Sequence, residues 1–405
     1  MASVRSALEA YPRPFWALVV GTFVNRTGLV VIPFLALFLT AERGYSVQLA
    51  TLAVSLYGGG AFTGGLAGGW LSDRIGRRPV LLLSLGGAAA PVAAIPFAPT
   101  FATIAATSFA FGFLGEMYRP AVSAVVADLL PGERRARGYA VVYWAINLGA
   151  AIGPALGGWL ASRSYTGLFV LEGVTLLGYA ALIAVEVPET KPVEAEGASV
   201  VLDLGPVARD GALAAVSVAV LLVGIGFFQL FTTLPIVMTD LGLSEFDFGL
   251  VVAVNGGLIV LVGLPVAAYV GERMTSLWVP ASVALMALGI ACQVPASTFW
   301  AYAACAVIWT VGEMAFLPVV PTIVAGLAPT ELRGSYQGVY HAAWGLSKMI
   351  APALGGLVLA NASSSALWGG SAALVAAASV VLLALLPTLR RRLVLEDARP
   401  VEVEA

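Results

Sequence analysis

Twelve long apolar runs divide almost the whole chain, and they constrain its fold more than any other feature. Each run has about 20 residues and is bounded by charged residues, prolines or glycine clusters, as expected for helices that cross a bilayer. The runs cover residues 15–40, 47–71, 79–97, 101–128, 138–161, 166–186, 211–238, 246–270, 276–294, 298–326, 334–360 and 364–387. We number these predicted spans one to twelve. Hydrophobic residues make up 60% of the 405 residues and charged ones only 11%, which excludes a water-soluble globule.

The same runs exclude other classes of protein. Strands of an outer-membrane β-barrel alternate in polarity at every second residue, whereas these runs are apolar at consecutive positions. Cys292 and Cys305 both lie inside apolar runs, so they indicate neither a disulfide framework nor a metal site. The sequence therefore predicts an all-α membrane protein with 12 transmembrane helices.

The short loop between spans two and three predicts the orientation of the chain. Asp73, Arg74, Arg77 and Arg78 lie close together in GGWLSDRIGRRPVLLL (68–83). Positive charge resists translocation, so we expect this loop and both termini on the cytoplasmic side. Few of the 21 lysines and arginines then lie elsewhere: Arg43 and Arg163 are on the outer side, and Arg26, Arg119 and Lys348 are within spans.

An internal repeat divides the chain into two halves. The triplet GEM at 115–117 recurs at 312–314, and GPALGG at 153–158 recurs as APALGG at 351–356. The repeat predicts two pseudo-symmetric six-helix bundles, with the substrate path between them near the bilayer midplane. We expect an N-terminal bundle at 1–186, a cytoplasmic linker at 187–210, a C-terminal bundle at 211–390 and a cytoplasmic tail at 391–405.

Three stretches resemble one transporter family. GWLSDRIGRRP (69–79) matches the G-x-L-[SA]-D-[RK]-x-G-[RK]-[RK] signature of the major facilitator superfamily. GAAIGPALGG (149–158) is similar to the G-x3-G-P-x2-G-G motif of drug:proton antiporters, and YRPAVSAVVADLLPGERRARG (118–138) resembles span four of the same exporters. The chain thus resembles a twelve-helix major facilitator transporter, most of all the drug:proton antiporters.

The resemblance implies two functional segments. The first is a conformational latch, in which the loop acid contacts the opposite half and the loop arginines contact an acid at the end of span four; its residues are Gly69, Asp73, Arg74, Gly76, Arg77, Arg78 and Asp128. The second is a tightly packed, kinked span five that seals one side against leak, through Gly149, Gly153, Pro154, Gly157 and Gly158. The alternatives are that the arginines only anchor the topology, and that Pro154 makes an ordinary kink.

The chain departs from the antiporter pattern at two places. Arg119 is followed by Pro-Ala-Val-Ser instead of x-x-Gln-Gly, which weakens the transfer of a proton-relay role to that arginine. Val142 stands where some relatives carry an acid before the Tyr-Trp pair. Proton coupling therefore requires other carboxylates.

Glu116 and Glu313 lie at equivalent points of the repeat, near the centres of spans four and ten. A charge at mid-bilayer costs roughly 2.5 to 3.5 kcal/mol on insertion scales, so such a residue usually faces a cavity or a partner. Arg119 is three residues after Glu116 on the same helix and is a natural ion-pair partner. Glu313 has no cation within a turn, so it is the stronger candidate for proton coupling, and Glu116 is either functional or half of a structural pair.

The remaining candidates are cationic or polar. Arg26 and Lys348 lie mid-span, and His341 is two helical turns before Lys348, on the same helix face. Asn147 completes the candidate cavity in span five. Three cations against two carboxylates make the cavity slightly positive if all face inward, which favours an anionic or zwitterionic substrate. Structural salt bridges for Arg26 and Lys348, and an interfacial position for His341, are the alternatives.

Among the aromatic residues within the spans, six are candidates for an apolar pocket. For most of them, packing or lipid contact is the favoured interpretation; they are Tyr143, Trp144, Phe227, Phe228, Trp309 and Trp344.

These features predict a secondary active exporter of small amphiphilic molecules, driven by exchange with protons through rocker-switch alternating access. Expected partners are a small-molecule substrate, protons and the lipid bilayer of the cell membrane. Neither a nucleic acid nor a cofactor is expected, and a monomer suffices for a pathway. The alternatives are a permease for a specific metabolite or organic anion, or a lipid flippase. A non-transporting sensor is more remote, since the charges of the loop latch are retained. A membrane-embedded enzyme is also more remote, since no nucleophile-base cluster is visible.

Overall fold

The computed structural model describes residues 11–28, 31–130, 132–191, 207, 209–271, 277–329 and 332–397, and within these stretches the regular elements are helices. The N-terminal half contains α1 (Arg13–Gly28), α2 (Val31–Leu37), α3 (Val47–Ile75), α4 (Arg77–Ala94), α5 (Phe101–Glu116), α6 (Tyr118–Leu129), α7 (Gly132–Ala161) and α8 (Tyr165–Glu186). The C-terminal half contains α9 (Gly211–Thr232), α10 (Leu234–Asp240), α11 (Glu245–Gly271), α12 (Trp278–Ala291), α13 (Phe299–Phe316), α14 (Val320–Leu327), α15 (Arg333–Asn361) and α16 (Ser364–Asp397).

Spans four, seven and ten each consist of two helices in succession. The breaks fall at Met117, at Thr233 and at 317–319. Prolines follow each break, and Pro235 and Pro321 occupy the first turns of α10 and α14. Proline has no N–H to donate to the preceding turn, so a new helix begins there more readily than the old one continues.

Ten helical segments in the described part of the chain are long and apolar enough to cross a membrane, which indicates a multi-pass membrane protein. Predicted spans four and nine are not among them. In span four the helix before the turn at Met117, α5, has 16 residues, and the described helix of span nine is the 14-residue α12. Several helices continue beyond the apolar runs, and α16 extends to Asp397 rather than ending near 387. Hydropathy marks only the lipid-embedded part, while main-chain hydrogen bonds extend a helix into water.

The helices pack as two bundles, and small residues let their main chains approach closely. In the N-terminal half, α3 packs against α5, α1 against α7 and α8, and α4 against α8; in the C-terminal half, α9 packs against α15 and α16, and α12 against α13 and α16. Gly60 and Gly64 of α3 face the main chain of Phe109 and Phe113 on α5, where a Cβ atom would overlap a carbonyl oxygen.

The two bundles meet along two helix pairs, α3 with α15 and α7 with α11. Between α3 and α15, the N–H of Ala353 donates to Ser55 Oγ at 2.8 Å. Between α2 and α11, the rings of Phe34 and Phe248 are 5.5 Å apart. These contacts lie in the predicted outer halves of the spans. The bundles are therefore closed at the predicted outer end, opposite to the loop at 72–78.

We predict that Gly64→Ala destabilises the N-terminal bundle because the new Cβ must displace the main chain of Phe113. Overpacking of this kind costs about 1–3 kcal/mol. The measurement is the thermal unfolding midpoint of the detergent-purified protein, and the matched control is Gly65→Ala, one residue along α3, where a Cβ meets no atom within 4 Å. Equal midpoints for the two variants would contradict this packing.

Candidate functional site

A cavity of about 390 Å³ lies between the two bundles. It is lined by helices of both halves and collects six of the seven polar residues predicted for it. These are Arg26, Glu116, Arg119, Asn147, Glu313 and Lys348. His341 is not among the lining residues; its side chain is exposed and lies beside the ring of Tyr340, 4.9 Å away.

A second cavity of about 630 Å³ continues from the first. The two share Arg119, Asn147, Ile259, Glu313 and Trp344. Beyond this junction the second cavity runs along Pro318 and Pro321, toward the predicted cytoplasmic end of span ten. The continuous space is therefore open toward the end of the molecule that carries the loop at 72–78.

Glu116 is held in an ion pair inside the N-terminal bundle. Arg119, one turn later on the adjoining helix, lies against both of its carboxylate oxygens and donates from Nη2 to Oε1 at 3.1 Å. The Tyr57 hydroxyl donates to the same oxygen at 3.3 Å. Glu116 and Arg119 thus neutralise each other, which offsets the cost of burying either charge.

Glu313 has a different environment. Its side chain is buried, and Asn255 of α11 donates from Nδ2 to Oε2 at 2.6 Å. The same amide donates to Thr310 Oγ1 at 3.0 Å. Among the residues that the structure describes, no Lys, Arg or His nitrogen lies within 4.0 Å of its carboxylate. A carboxyl group bound only by a neutral amide can exchange a proton without breaking an ion pair.

Arg26 and Lys348 are less compensated than Arg119. Arg26 donates from Nη2 to the Tyr118 hydroxyl at 2.9 Å, and its Nε has no hydrogen-bond partner among the described residues. Lys348 Nζ lies 5.7 Å from the centroid of the Phe228 ring. In the described part of the chain, no carboxylate is paired with this ammonium group.

Several polar residues of the site were missing from the sequence prediction. Asn255 and Tyr118 are described above, and Glu172 of span six is fully buried and accepts a hydrogen bond from the N–H of Val31 at 3.4 Å. Glu172 lines a small cavity behind the main one, together with Arg26 and Glu116. The available signal was simple: each is a polar side chain in an otherwise apolar run.

Five of the six candidate aromatic residues line the cavities. Phe227, Phe228 and Trp344 line the first cavity, and Trp344, Tyr143 and Trp144 line the second. Packing or lipid contact was the favoured prediction for most of these rings, with a pocket lining as the alternative. The cavity lining supports the alternative for these five, while Phe227 is also buried against Phe231 and Trp309. Only the sixth predicted ring, Trp309, is fully packed, with its centroid 5.9 Å from that of Phe227.

Arg77 is the centre of the loop between α3 and α4. Its guanidinium lies 3.4 Å from Asp73 Oδ1 and 3.3 Å from Asp128 Oδ2, and it donates to the Ser72 carbonyl at 2.9 Å. Gly76 supplies the sharp turn, with φ of +103°, which favours glycine. Arg74 stacks on Trp70, at 4.1 Å from the ring centroid. Arg78 donates to the carbonyl of residue 184 at 2.7 Å.

Asp73 and the neighbouring glycine complete this loop. The Asp73 side chain is 76% exposed and pairs with Arg77 of its own loop. The bundles are apart at this end, so the contact of Asp73 with the opposite half stays a prediction for another conformational state. The closest helix approach at this end of α3 is at Gly68, where a Cβ would overlap the main chain of Met117. At Gly69 the nearest atom to such a Cβ is 3.9 Å away.

Glu189, in the predicted linker, was absent from the sequence prediction. Its carboxylate accepts the N–H groups of Arg77 and Arg78, at 2.9 and 3.2 Å, at the start of α4. It also accepts those of Thr190 and Lys191. Partial burial alone would raise the pKa of Glu189, but these four hydrogen bonds outweigh it and hold the pKa below its usual value.

Thr190 and Lys191 continue this contact between linker and loop. The Thr190 hydroxyl donates to Asp128 Oδ2 at 3.0 Å, and Lys191 Nζ donates to the carbonyl of Arg74 at 3.0 Å. The first residues of the linker therefore lie directly on the loop and on its partner acid.

Span five of the N-terminal bundle packs closely both against α1 and against the C-terminal bundle, at its glycines. Gly149 and Gly153 of α7 face the main chain of α1, and Gly158 faces the main chain of Glu245 on α11. Gly157 is buried, and Pro154 lines the cavity while its carbonyl faces Gly249. This contact is part of the closed outer end.

Two helix bundles with a charged cavity between them are typical of a membrane transporter. The sequence profile of the Major Facilitator Superfamily matches residues 18–276 and, in a second match, residues 216–403. The chain belongs to the major facilitator superfamily.

Individual relatives agree with this membership. The chain is 30% identical over 368 residues to the uncharacterized MFS-type transporter YttB of Bacillus subtilis, which covers 88% of this chain and 91% of the relative. It is 25% identical to a Na(+), Li(+), K(+)/H(+) antiporter of Planococcus maritimus, over 82% of this chain and 85% of the relative. A class C tetracycline resistance protein of Escherichia coli is 38% identical over 113 residues, which are 27% of this chain and 28% of that protein.

Solved structures share the fold. A peptide transporter in complex with alafosfalin superposes with a TM-score of 0.77 at 18% identity, covering 94% of this chain and 95% of that chain. A D-xylose-proton symporter superposes with a TM-score of 0.75 at 16% identity, covering 92% and 96%. At these identities the likeness establishes the fold alone.

We predict that Gly249→Val weakens the closed outer end, because a side chain at this position meets the main chain of Pro154. The expected result is proton leak through liposomes that contain the variant, without added substrate. The matched control is Gly257→Val, on the same helix, where a Cβ meets no atom within 4 Å. If vesicles show no proton leak with either variant, this contact does not seal the path.

We also predict a pH-dependent effect of Glu189→Ala on thermal stability. The folded-state pKa is lowered, so the stabilisation by the carboxylate is present above the unfolded-state pKa and is lost as the pH falls through the folded-state pKa. The variant should therefore unfold at a lower temperature than wild type at pH 7, and the difference should narrow below about pH 4. Glu186→Ala, at an exposed carboxylate of the same segment, is the control. A difference that is constant with pH would rule out the carboxylate as its source.

Proposed function

We propose that this protein exports small amphiphilic molecules in exchange for protons, by rocker-switch alternating access, with Glu313 as the coupling carboxylate. The observation that carries the proposal is the environment of Glu313: buried, at the junction of the two cavities, and hydrogen-bonded to the neutral amide of Asn255. The proton gradient is the energy source, and no other cofactor is required.

The amide of Asn255 suits a group that gains and loses a proton. It donates from Nδ2 to the carboxylate, at 2.6 Å. An amide also has an acceptor oxygen, so after a rotation it can accept the O–H of the protonated acid. Both states of Glu313 then keep a partner. Glu116 is a weaker candidate because its protonation would leave Arg119 unpaired in the protein interior.

The shape of the cavity supports amphiphilic cargo. One wall carries the rings of Phe227, Phe228 and Trp344, with centroids 5.1 to 5.9 Å apart between Trp344 and the two phenylalanines. The opposite side carries Arg26, Arg119 and Glu116. An organic molecule with an aromatic body and a polar end finds complementary surfaces on the two sides. The relatives named for cation/proton antiport and for tetracycline resistance support exchange and export for this chain.

The latch supports a two-state mechanism. With the predicted cytoplasmic end open, Arg77 holds both Asp73 and Asp128. When the bundles close at this end, Asp73 exchanges Arg77 for the approaching opposite half, while the contacts of α3 with α15 and of α7 with α11 open. Pairs that form in one state and break in the other bias such an equilibrium.

A permease for organic anions is the second candidate. It is favoured by one observation, the excess of cations over carboxylates around the cavity, where Arg26, Arg119 and Lys348 face Glu116 and Glu313. A facilitator of this kind would move its substrate without proton exchange.

Reconstituted liposomes test the coupling. A pH gradient is imposed, cationic, neutral, anionic and zwitterionic amphiphiles are added in turn, and proton movement is followed with a trapped pH indicator. We predict substrate-stimulated proton flux in the wild type and a loss of at least about tenfold in Glu313→Gln, which cannot carry a proton. Glu42→Gln, at an exposed carboxylate near the end of span one, should retain the wild-type flux.

Equal uptake of one solute by wild type and Glu313→Gln, without proton movement in either, would overturn proton exchange and favour the permease. Substrate-dependent proton flux that survives in Glu313→Gln but is lost in Glu116→Gln would assign coupling to the other carboxylate.

A further inference from the structure

The charges around the cavity are separated along its axis. Of the two large cavities, Arg26, Lys348 and Glu116 line the first, deeper one and not the second. Glu313 and Arg119 line both cavities and so lie at the junction, nearer the open end. Because Glu116 and Arg119 pair with each other, the charges left for a ligand are cationic in the depth and anionic at the junction.

Lys348 is the principal cation of the deep end. Of the described residues, none gives its ammonium group an ion pair or a hydrogen bond. Its neighbour along the wall is the face of Phe228, 5.7 Å from Nζ. Arg26 adds a second cation there, although the buried carboxylate of Glu172 shares the small rear cavity with it and offsets part of its charge. An anionic group of a ligand would find its strongest partner at Lys348.

Glu313 is the only carboxylate at the junction, among the described residues, that no cation compensates. A ligand ammonium group placed there would complete the ion pair that the protein itself does not make. The walls between the two ends carry Phe227, Phe228 and Trp344, which can hold an apolar body. Trp344 lines both cavities and so spans the distance between the two charged ends.

From this arrangement we propose that the substrates are zwitterionic amphiphiles, whose anionic group binds at Lys348 and Arg26, whose ammonium group binds at Glu313, and whose apolar body packs on the aromatic wall. This inference rests on the proposed function, since it assigns a substrate class to the same cavity. It also explains the coupling. A proton on Glu313 removes the charge that attracts the ammonium group, so proton and substrate compete for one carboxylate. Competition for a single site is the requirement for exchange rather than for co-transport.

A purely anionic substrate would couple in the opposite sense. Its charge would favour a proton on Glu313, so substrate and proton would bind together. A purely cationic substrate would compete with the proton but would meet Lys348 and Arg26 uncompensated in the deep end. The zwitterion is the class that satisfies both ends of the cavity and preserves competition with the proton.

Three probes with one aromatic body test the substrate class: 1-naphthylmethylamine, 1-naphthylacetate and 3-(1-naphthyl)alanine. Binding to the full-length purified protein is measured by equilibrium dialysis at pH 7.5. We expect the zwitterion to bind at least about tenfold more tightly than either singly charged probe. The competition with protons is then tested by repeating the measurement at pH 5.5. The lower pH should weaken binding of the zwitterion and of the amine but not that of the carboxylate.

Two variants test the two ends of the cavity separately. Glu313→Gln should reduce the affinity for the zwitterion to that for the carboxylate probe, whose own binding should not weaken. Lys348→Met should reduce the affinity for the zwitterion to that for the amine probe, whose own binding should not weaken. Each variant thus carries an internal control for folding, the probe whose binding should be retained or strengthened.

Tighter binding of the amine or of the carboxylate than of the zwitterion would overturn the proposal, as would equal losses for all three probes in both variants. No binding of any probe to protein that transports another amphiphile would overturn it too. Failure of the proton-exchange function is distinguishable, because selective zwitterion binding with the two variant effects can hold while liposomes show no proton flux.

Discussion

A charge in the apolar interior of a membrane is costly unless a partner or a polar cavity compensates it, and the centre of this molecule is arranged around that cost. Five charged side chains of spans one, four, ten and eleven meet at one cavity between the bundles. Glu116 and Arg119 solve the problem by pairing within one span. In the described part of the chain, Glu313 and Lys348 have no such partner, so the cost of burying their charges remains, and a ligand or a proton can reduce it. The uncompensated groups are therefore the ones that give the cavity its chemistry.

Small residues link this arrangement of charges to the packing of the helices. In lipid the helices gain little from apolar burial against each other, so they associate through close main-chain contact. Gly58 faces the main chain of Lys348, and Gly256 faces that of Ala151. The same kind of contact that closes the outer end thus fixes the height of Lys348 in the cavity. Closure and charge placement are not independent, and a motion that separates α3 from α15 must also move the deep cation.

The sequence was sufficient for the fold and for the identity of most cavity charges, because long apolar runs, an internal repeat and intramembrane charges are local signals. The sequence was insufficient to predict which residues of different helices contact each other. Asn255 reaches Glu313 from another span, and Glu189 reaches the start of α4 from the linker; such contacts depend on helix rotation and on loop path, which no local pattern specifies. The sequence could not decide the position of the aromatic rings for a similar reason: the same ring chemistry suits lipid, core and cavity, and only the orientation of the helix decides between them.

The placement of Glu313 at the junction of the two cavities links access to binding. With the molecule open at the loop end, a proton or an amine that arrives from that side reaches Glu313 before it reaches Lys348. A ligand that reaches the deep end while its ammonium group stays paired with Glu313 must be long enough to extend past Trp344. A ligand with a single charge can pair at one end only. The buried charge at the other end then stays as unfavourable as in the empty cavity. If zwitterionic amphiphiles are the substrates, as we propose, the separation of charge along the path selects ligands by length as well as by charge.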